Sequence, residues 1–508
     1  MLDAQRSDLV LGVVGAGTMG RGIAQLAAAA GIHVRLLDAR AGAAEEARAS
    51  VAAALEALVA KGKLAEAAAS ATVARLQPVG REAALAGCDV VVEAVVEDLE
   101  VKRALFARLE AVVGPGCVLA TNTSSLSVTA IAAACAKPGR VAGLHFFNPV
   151  PLMKVVEVVA GARTEPQVVD ALQALVGRTG HRAVRASDTP GFLVNHAGRA
   201  YGTEALRLLQ EGVAPFWELD RVLREAAGFR MGPFELLDLV GLDVSHPVME
   251  SVYTQFYEEP RFRPSYVLRS RLEAGLLGRK SGEGFYRYEG GKALPPAEPP
   301  PLPAGEKRPV WACAQEPAAL ELLQARVRAA GWTLEEAARP SAEALLLLAP
   351  LGRDATSTAL ALGLDAERCV AVDLLHGLER RRTVMSTPVT RPGFLASAVT
   401  LLSADGTPVS RIHDSPGFVA QRVLACVVNV ACDIAQQRIA SPSDIDAAVT
   451  LGLGYPRGPL AWGDALGPLR VLHILQALLA ATGDPRYRPS LWLSRRARLG
   501  ASLLTPEG

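Results

Sequence analysis

The chain has no long run of like charge and no apolar stretch of membrane-spanning length. Its 508 residues carry 53 Lys and Arg against 52 Asp and Glu, for a formal net charge of +1. Without a basic stripe there is no electrostatic footprint for nucleic acid or an anionic bilayer, and neither partner is expected. A spanning helix needs about 20 consecutive apolar residues, so no membrane insertion is expected either. Met1-Leu2-Asp3-Ala4-Gln5-Arg6 lacks a signal h-region, and the expected location is cytoplasmic. Cys88, Cys117, Cys135, Cys313, Cys369, Cys426 and Cys432 are odd in number, scattered and without a C-x-x-C pair. That spacing argues against a metal site or a disulfide framework and for a reducing compartment. By length, what remains is a soluble enzyme of roughly three or four domains.

The first forty residues carry the strongest pattern. The short apolar strand Leu9 to Val14 runs directly into Gly15-Ala16-Gly17-Thr18-Met19-Gly20. A helical stretch from Ile23 to Ala30 follows, closed by Gly31, and a second strand from His33 to Leu37 ends in Asp38. In such a turn the glycines allow the tight bend, the approach of backbone to pyrophosphate, and close helix-on-strand packing. The pyrophosphate then rests on the amides at the helix N-terminus. Asp38 stands where a carboxylate binds a ribose 2′-hydroxyl and repels a 2′-phosphate, which points to NAD. Arg40 is close enough to blunt that preference. The alternative is a glycine turn in an unrelated α/β protein.

Downstream, Ala43 to Ser70 reads as a long helix or helical pair around Gly62, with Lys61 and Lys63 at the break. Such lysines are either a solvated face or contacts for an anionic substrate. Asp89 to Glu97 reads as a buried strand ending in acid, followed by a helix from Leu99 to Val112. This sets Glu97 and Lys102 at the carboxyl edge of the sheet, where open α/β folds bind ligands. Thr121-Asn122-Thr123-Ser124-Ser125 is a hydroxyl-rich loop at the same edge, or simply the N-cap of a helix from Val128 to Ala136. His145 ends one apolar run, and Glu157 interrupts another, Val155-Val156-Glu157-Val158-Val159. A carboxylate inside such a run needs a partner to offset its desolvation. On adjacent strands the two would pair, the glutamate fixing the tautomer and stabilising the imidazolium of a general base. The alternative is two unrelated residues, a satisfied core histidine and a strand glutamate facing water.

Taken together, these segments closely resemble the L-3-hydroxyacyl-CoA dehydrogenases. The matching residues are the glycine turn, Val92 to Glu97, Asn122 to Leu126, and His145-Phe146-Phe147-Asn148-Pro149 through Glu157. They continue in Thr189 to Asn195, Met231 to Asp238 and Gly278 to Tyr286, and the resemblance spans residues 8 to 288. It implies a Rossmann-type doubly wound α/β domain followed by an all-helical domain, with NAD as cofactor and an acyl-CoA as substrate. It also implies His145 as general base oriented by Glu157, with Ser124 and Asn195 at the substrate's hydroxyl, carbonyl and nicotinamide end. Cofactor contacts are implied for Gly15, Ala16, Gly17, Thr18, Met19, Gly20, Asp38, Glu97, Lys102, Asn148 and Lys280, and a coenzyme A contact for Lys61. Ala54 departs from the family, which carries a serine at a nearby coenzyme A contact.

The second half repeats the first. Pro190-Gly191-Phe192 recurs as Pro416-Gly417-Phe418, Gly232-Pro233 as Gly458-Pro459, and Asp238 as Asp464, each 226 positions on. Asn195 becomes Gln421, and the copy ends without a counterpart of the lysine-bearing segment. Val310 to Ala314 is strand-like, yet Gln315, Pro317 and Leu320 stand where the three glycines would fall. Asp373 replaces His145, and Met385 falls at the Glu157 position. The expected organisation is 1–189 NAD-binding, 190–288 helical, 289–308 proline-rich linker, 309–410 degenerate Rossmann-like and 411–508 second helical. An independent small domain at 309–410 is the alternative. The helical copies are expected to form an internal pseudo-dimer, with homo-oligomerisation left open. The tandem arrangement is similar to family members of bacterial phenylacetate degradation, whose substrate is 3-hydroxyadipyl-CoA. A 3-hydroxybutyryl-CoA dehydrogenase, a fatty-acid β-oxidation dehydrogenase and, in a different class, a non-catalytic, crystallin-like nucleotide-binding protein are the alternatives.

Overall fold

A computed structural model describes residues 2–298 and 300–507, so Pro299 of the linker's proline cluster lies outside the described residues. The chain begins β1 (Val10–Val14), α1 (Thr18–Ala29), β2 (His33–Leu37), α2 (Ala43–Ala60), α3 (Glu66–Ala74) and β3 (Leu76–Val79). It continues with β4 (Val90–Glu93), α4 (Leu99–Val112), β5 (Val118–Thr121), α5 (Val128–Ala132), β6 (Val141–Phe146), β7 (Val155–Ala160), α6 (Pro166–Arg178) and β8 (Arg182–Ser187). Helices α7 (Val194–Ala197), α8 (Arg199–Gln210), α9 (Phe216–Glu225), α10 (Pro233–Val240), α11 (Leu242–Gln255) and α12 (Tyr266–Glu273) follow. A hairpin of β9 (Tyr288–Glu289) and β10 (Lys292–Ala293) occupies the start of the expected linker.

The second half holds β11 (Val310–Ala314), α13 (Pro317–Ala329), β12 (Leu334–Glu335), β13 (Leu345–Ala349), α14 (Ala355–Ala361), β14 (Cys369–Val372), β15 (Arg382–Ser386), α15 (Pro392–Leu402) and β16 (Val409–Ile412). It closes with α16 (Ala420–Gln436), α17 (Pro442–Leu453), α18 (Pro459–Leu466), α19 (Pro468–Thr482) and α20 (Leu491–Leu499). The chain divides into two compact units. One comprises the residues up to His196 together with Gln437–Leu453, and the other Ala197–Gln436 together with the residues from Gly454 onward.

In the first unit eight strands form a doubly wound sheet in the order β3-β2-β1-β4-β5-β6-β7-β8, parallel except where β6 meets β7. Alternation of side chains along each strand gives the sheet two apolar faces. Val13, Val92, Ala120, Leu144 and Val158 pack with α1 and α6, while Val14, Val91 and Leu119 pack with Leu105, Phe106 and Leu109 of α4. Helix α1 starts five residues before its expected beginning, because Gly20 lies inside it and lets the first turn pack onto Gly15. Helix α5 stops at Ala132 rather than Ala136. Its last turns tighten into bonds from Ala134 to Ile131 and Cys135 to Ala132, and Glu110 captures the Ala136 and Lys137 amides before Pro138. Helix α17 belongs to this unit and packs on β7 and β8, where Ser187 N–H donates to Ile439 O at 2.9 Å.

The second unit contains the shrunken copy of that sheet, ordered β12-β11-β13-β14-β15-β16, again with one antiparallel step, between β14 and β15. Around it lie α8 to α12 and the remainder of the second helical copy. Gly232-Pro233 and Gly458-Pro459 open α10 and α18 with proline at the first helical position, where its missing N–H costs nothing. Asp238 accepts from the Phe285 and Tyr286 amides, and Asp464 from Leu503 N–H and Ser502 Oγ. The expected loss of the terminal segment therefore needs correction. A shortened return to Asp464 survives, and what is gone is its lysine. Here His413 N–H donates to Val213 O at 2.8 Å. Both residues lie 226 positions from the Ser187–Ile439 pair, so the segment before α9 meets the end of the second sheet as the segment before α17 meets the end of the first.

Candidate active site

The glycine turn passes a direct steric test for a dinucleotide. A Cβ at Gly20 would stand 1.7 Å from Gly15 O, and one at Gly15 (φ +102°) would stand 2.4 Å from Ala94 O. At Gly17 a Cβ would meet nothing within 4 Å. Two glycines are thus consumed by internal packing, and the third leaves the backbone open toward the helix N-terminus. That is the division of labour a pyrophosphate cradle requires. Asp38 ends β2 and accepts from Ala16 N–H at 2.7 Å and Arg40 N–H at 2.8 Å, so its carboxylate is fixed beside the turn. The Arg40 guanidinium does not face it freely. It is held bidentate by Glu46, at 2.9 and 2.5 Å. NAD is expected to be preferred over NADP. Asp38→Ala should erode the ratio of kcat/KM values, and Glu46→Ala should erode it too by releasing Arg40. A Glu46→Ala enzyme with wild-type discrimination would show that Arg40 has no part in cofactor choice.

Beyond the turn, β4 ends in a buried ionic knot. Glu93, wholly buried, accepts from Lys102 Nζ at 2.5 Å, Val95 N–H at 2.7 Å and Thr121 Oγ1 at 2.7 Å. Lys102 is buried as well, and its ammonium also lies 3.4 Å from Glu97. Sequence reasoning placed Lys102 and Glu97 at this edge but passed over Glu93. The signal was present, for a carboxylate in the apolar strand Val90–Glu93 poses the same desolvation problem as Glu157. Glu97 gathers the hydroxyl-rich loop, accepting from Thr123 Oγ1, the Ser124 amide and hydroxyl, and the Ser125 amide and hydroxyl. Burial alone would raise its pKa, but these donors and Lys102 outweigh it and hold the carboxyl below its ordinary value. The loop's capping work falls to Ser127, which accepts from Ala130 N–H. Ser124 is thereby left to the Glu97 cluster.

The β6–β7 register sets His145 directly opposite Glu157. Nδ1 stands 2.5 Å from Glu157 Oε2, with the imidazole 5% exposed and the carboxylate fully buried. The other carboxylate oxygen accepts from the Leu193 and Val194 amides at 2.9 and 2.8 Å. Those amides are presented by the Pro190-Gly191-Phe192 turn, in which Gly191 and Phe192 both have positive φ, just before α7. Three donors thus fix Glu157. A carboxylate facing Nδ1 places the proton there and leaves the lone pair on Nε2. Phe147 and Phe192 pack against the ring at 4.4 and 5.8 Å between centroids. Asn122 Oδ1 accepts from Phe146 N–H at 2.8 Å, which ties the serine loop to the histidine strand. Asn195 follows the Glu157-binding amides on α7, and Asn148 follows β6. Lys61 caps α2 and is exposed, with Ala54 exposed about two turns before it. Lys280 lies in the second unit, its ammonium on Asp243 at 2.5 Å.

The corresponding edge of the second sheet is filled. Strand β11 leads into α13 through Gln315 and Glu316 alone, with Pro317 as the first helical residue. The register corrects one expectation: Met385 faces Ala371, and Asp373 N–H instead donates to Thr383 O. Thr383 therefore takes the glutamate's place. The Asp373 carboxyl is raised by burial and accepts from Gln421 Nε2 at 2.9 Å, while Gln421 Oε1 accepts from Gly352 N–H. Gln421 stands 226 positions after Asn195 and plugs the cleft. The cavity left there is about 150 Å³, well below the roughly 300–1,000 Å³ of small-molecule sites.

Residues 10–189 match the 3-hydroxyacyl-CoA dehydrogenase NAD-binding domain family, and residues 191–288 and 417–502 match the 3-hydroxyacyl-CoA dehydrogenase C-terminal domain family. The chain is 40% identical over 487 residues to the 3-hydroxyadipyl-CoA dehydrogenase of Escherichia coli K12, covering 96% of this chain and 97% of that one. The solved structure of an E. coli 3-hydroxybutyryl-CoA dehydrogenase superposes with a TM-score of 0.84 at 39% identity, covering 97% of this chain and 98% of that one. The pig mitochondrial hydroxyacyl-coenzyme A dehydrogenase is 39% identical over 284 residues, 54% of this chain and 90% of its own. The chain belongs to the 3-hydroxyacyl-CoA dehydrogenase family and is an NAD-dependent oxidoreductase with a duplicated architecture.

Proposed function

We propose that the chain oxidises an L-3-hydroxyacyl-CoA to the 3-oxoacyl-CoA with His145 as general base, and that its acyl group is the dicarboxylic chain of 3-hydroxyadipyl-CoA, in cytoplasmic phenylacetate catabolism. The observation that carries the chemistry is the buried His145–Glu157 hydrogen bond. Imidazole Nε2 takes the proton of the 3-hydroxyl, and Glu157 stabilises the imidazolium that results. NAD, when bound, supplies the hydride acceptor. Ser124 and Asn195 orient the hydroxyl and carbonyl, Lys61 meets the coenzyme A phosphates, and Asn148, Lys280 and the Glu97–Lys102 cluster serve the cofactor. The acyl assignment is supported by the E. coli relative that shares the tandem length and carries that name. A second reading, 3-hydroxybutyryl-CoA, is favoured by the name of the superposed structure. Initial rates of NADH formation on both thioesters decide between them. The adipyl ester should give the higher kcat/KM, and a preference for the butyryl ester would reverse the assignment.

A second expectation concerns stoichiometry. The glycine-free β11–α13 turn and the plugged cleft leave no cradle in the second sheet. Calorimetric titration should return one NAD per chain; two would refute the reading. The packing of α8 against α16 and the matched contacts before α9 and α17 support an internal pseudo-dimer in place of a dimer of single modules.

A further inference from the structure

The second unit contains a cavity of about 560 Å³ whose lining includes His376, Arg380, Arg457 and Trp462 and no carboxylate. It lies off the β14 end of the shrunken sheet. His376 follows Asp373 by three positions, as Asn148 follows His145, so the cavity sits near the counterpart of the catalytic edge. Its lining draws on both helical copies, Ala226-Ala227-Gly228 from one and Pro456-Arg457 with α18 from the other. Gly228 has φ +87°, and a Cβ there would stand 3.1 Å from the Arg380 guanidinium, so the glycine gives that side chain its seat. Among the described residues neither Arg380 nor Arg457 makes an ion pair, although most arginines of this unit do. His376 Nε2 is buried without a hydrogen-bond partner. Burial and then the Arg380 charge push this imidazole down to about 4, which makes it an uncharged partner at neutral pH.

We propose that this cavity is a second ligand site, selective for a small polyanion bearing carboxylate or phosphate groups. Arg380 and Arg457, both exposed, line the same cavity without an ion pair among the described residues, and an anion held between them gains charge-assisted hydrogen bonds from both. The orphaned imidazole nitrogen supplies a further, uncharged hydrogen-bonding partner, and Trp462 an apolar wall. A volume of this size admits a compact metabolite.

The test is calorimetric titration of the full chain with inorganic phosphate and, separately, with adipate at low ionic strength. Saturable binding of either probe is expected, and it should weaken at least about tenfold in Arg380→Gln/Arg457→Gln, since each charged contact is worth roughly a factor of ten. Binding of phosphate alone would identify a phosphorylated ligand, adipate alone a dicarboxylate, and both the shared anionic chemistry. Turnover of the double variant without probe should equal wild type, since neither arginine belongs to the proposed catalytic machinery. Undiminished binding in the double variant, or no saturable binding of either probe, overturns the proposal.

Discussion

His145→Gln should bind NAD as the wild type does and lose about two to four powers of ten in turnover, the usual contribution of a positioned base. Glutamine preserves approximate size but has no basic nitrogen for the hydroxyl proton. Glu157→Gln should be nearly as severe, for a reason visible in the bonding. The Leu193 and Val194 amides both donate to one carboxylate oxygen and will claim the single oxygen of a glutamine. The amide nitrogen must then face His145 Nδ1 as a donor. That drives the ring proton to Nε2, the atom that has to accept the substrate proton. Turnover should fall while NAD affinity, read by calorimetry, stays within about twofold, since one hydrogen bond distant from the cradle is worth little there. If either variant retains near-wild-type turnover, the base assignment is wrong.

Much of this site was legible in the sequence because its parts solve problems that residues announce. Glycines at three fixed positions, an acid closing a second strand, and a carboxylate stranded in a valine run each demand a particular neighbour. The β6–β7 register then had to bring histidine and glutamate together, and it does. What escaped was relational. Glu93 looked like part of a motif until Lys102, nine positions away and equally buried, proved to be its partner. The docking of α17 on the first sheet leaves no local trace, since a helix with an apolar face packs as well on one copy as on the other. The Met385 assignment failed because the β14–β15 connection differs by two positions from its counterpart, and a strand's register is fixed by pairing and not by counting.

Arg422→Met should lower the apparent melting temperature of the chain steeply, because it breaks from one side a charge cluster whose core, Arg422 with Glu204 and Arg486, is buried. Arg422 on α16 donates to Glu204 on α8 at 2.6 Å and to Glu211, beyond the end of α8, at 2.7 and 3.1 Å. Glu204 also accepts from Tyr487 Oη at 2.7 Å and from Arg486 at 3.3 Å. Removing one member of such a pair costs roughly 3–5 kcal/mol, since the remaining charge stays desolvated. Position 196, 226 residues earlier, holds His196, so the two copies are not equivalent here and the cluster is polarised across the α8–α16 contact. That asymmetry specifies which copy provides acid and which base, a registry role that buried ion pairs are known to serve. Burial alone would raise the pKa of Glu204, but Arg422 and then Arg486 outweigh it and hold the carboxyl below 4.5. A depressed folded pKa contributes stability that is present above the unfolded value and lost as pH falls through the folded one. The acid-unfolding midpoint should therefore move upward in Arg422→Met. The double variant Arg422→Met/Glu204→Met, which removes both charges, should recover part of the loss at neutral pH. A double variant no more stable than Arg422→Met alone would show that the cost lies in packing around the guanidinium and not in the stranded carboxylate.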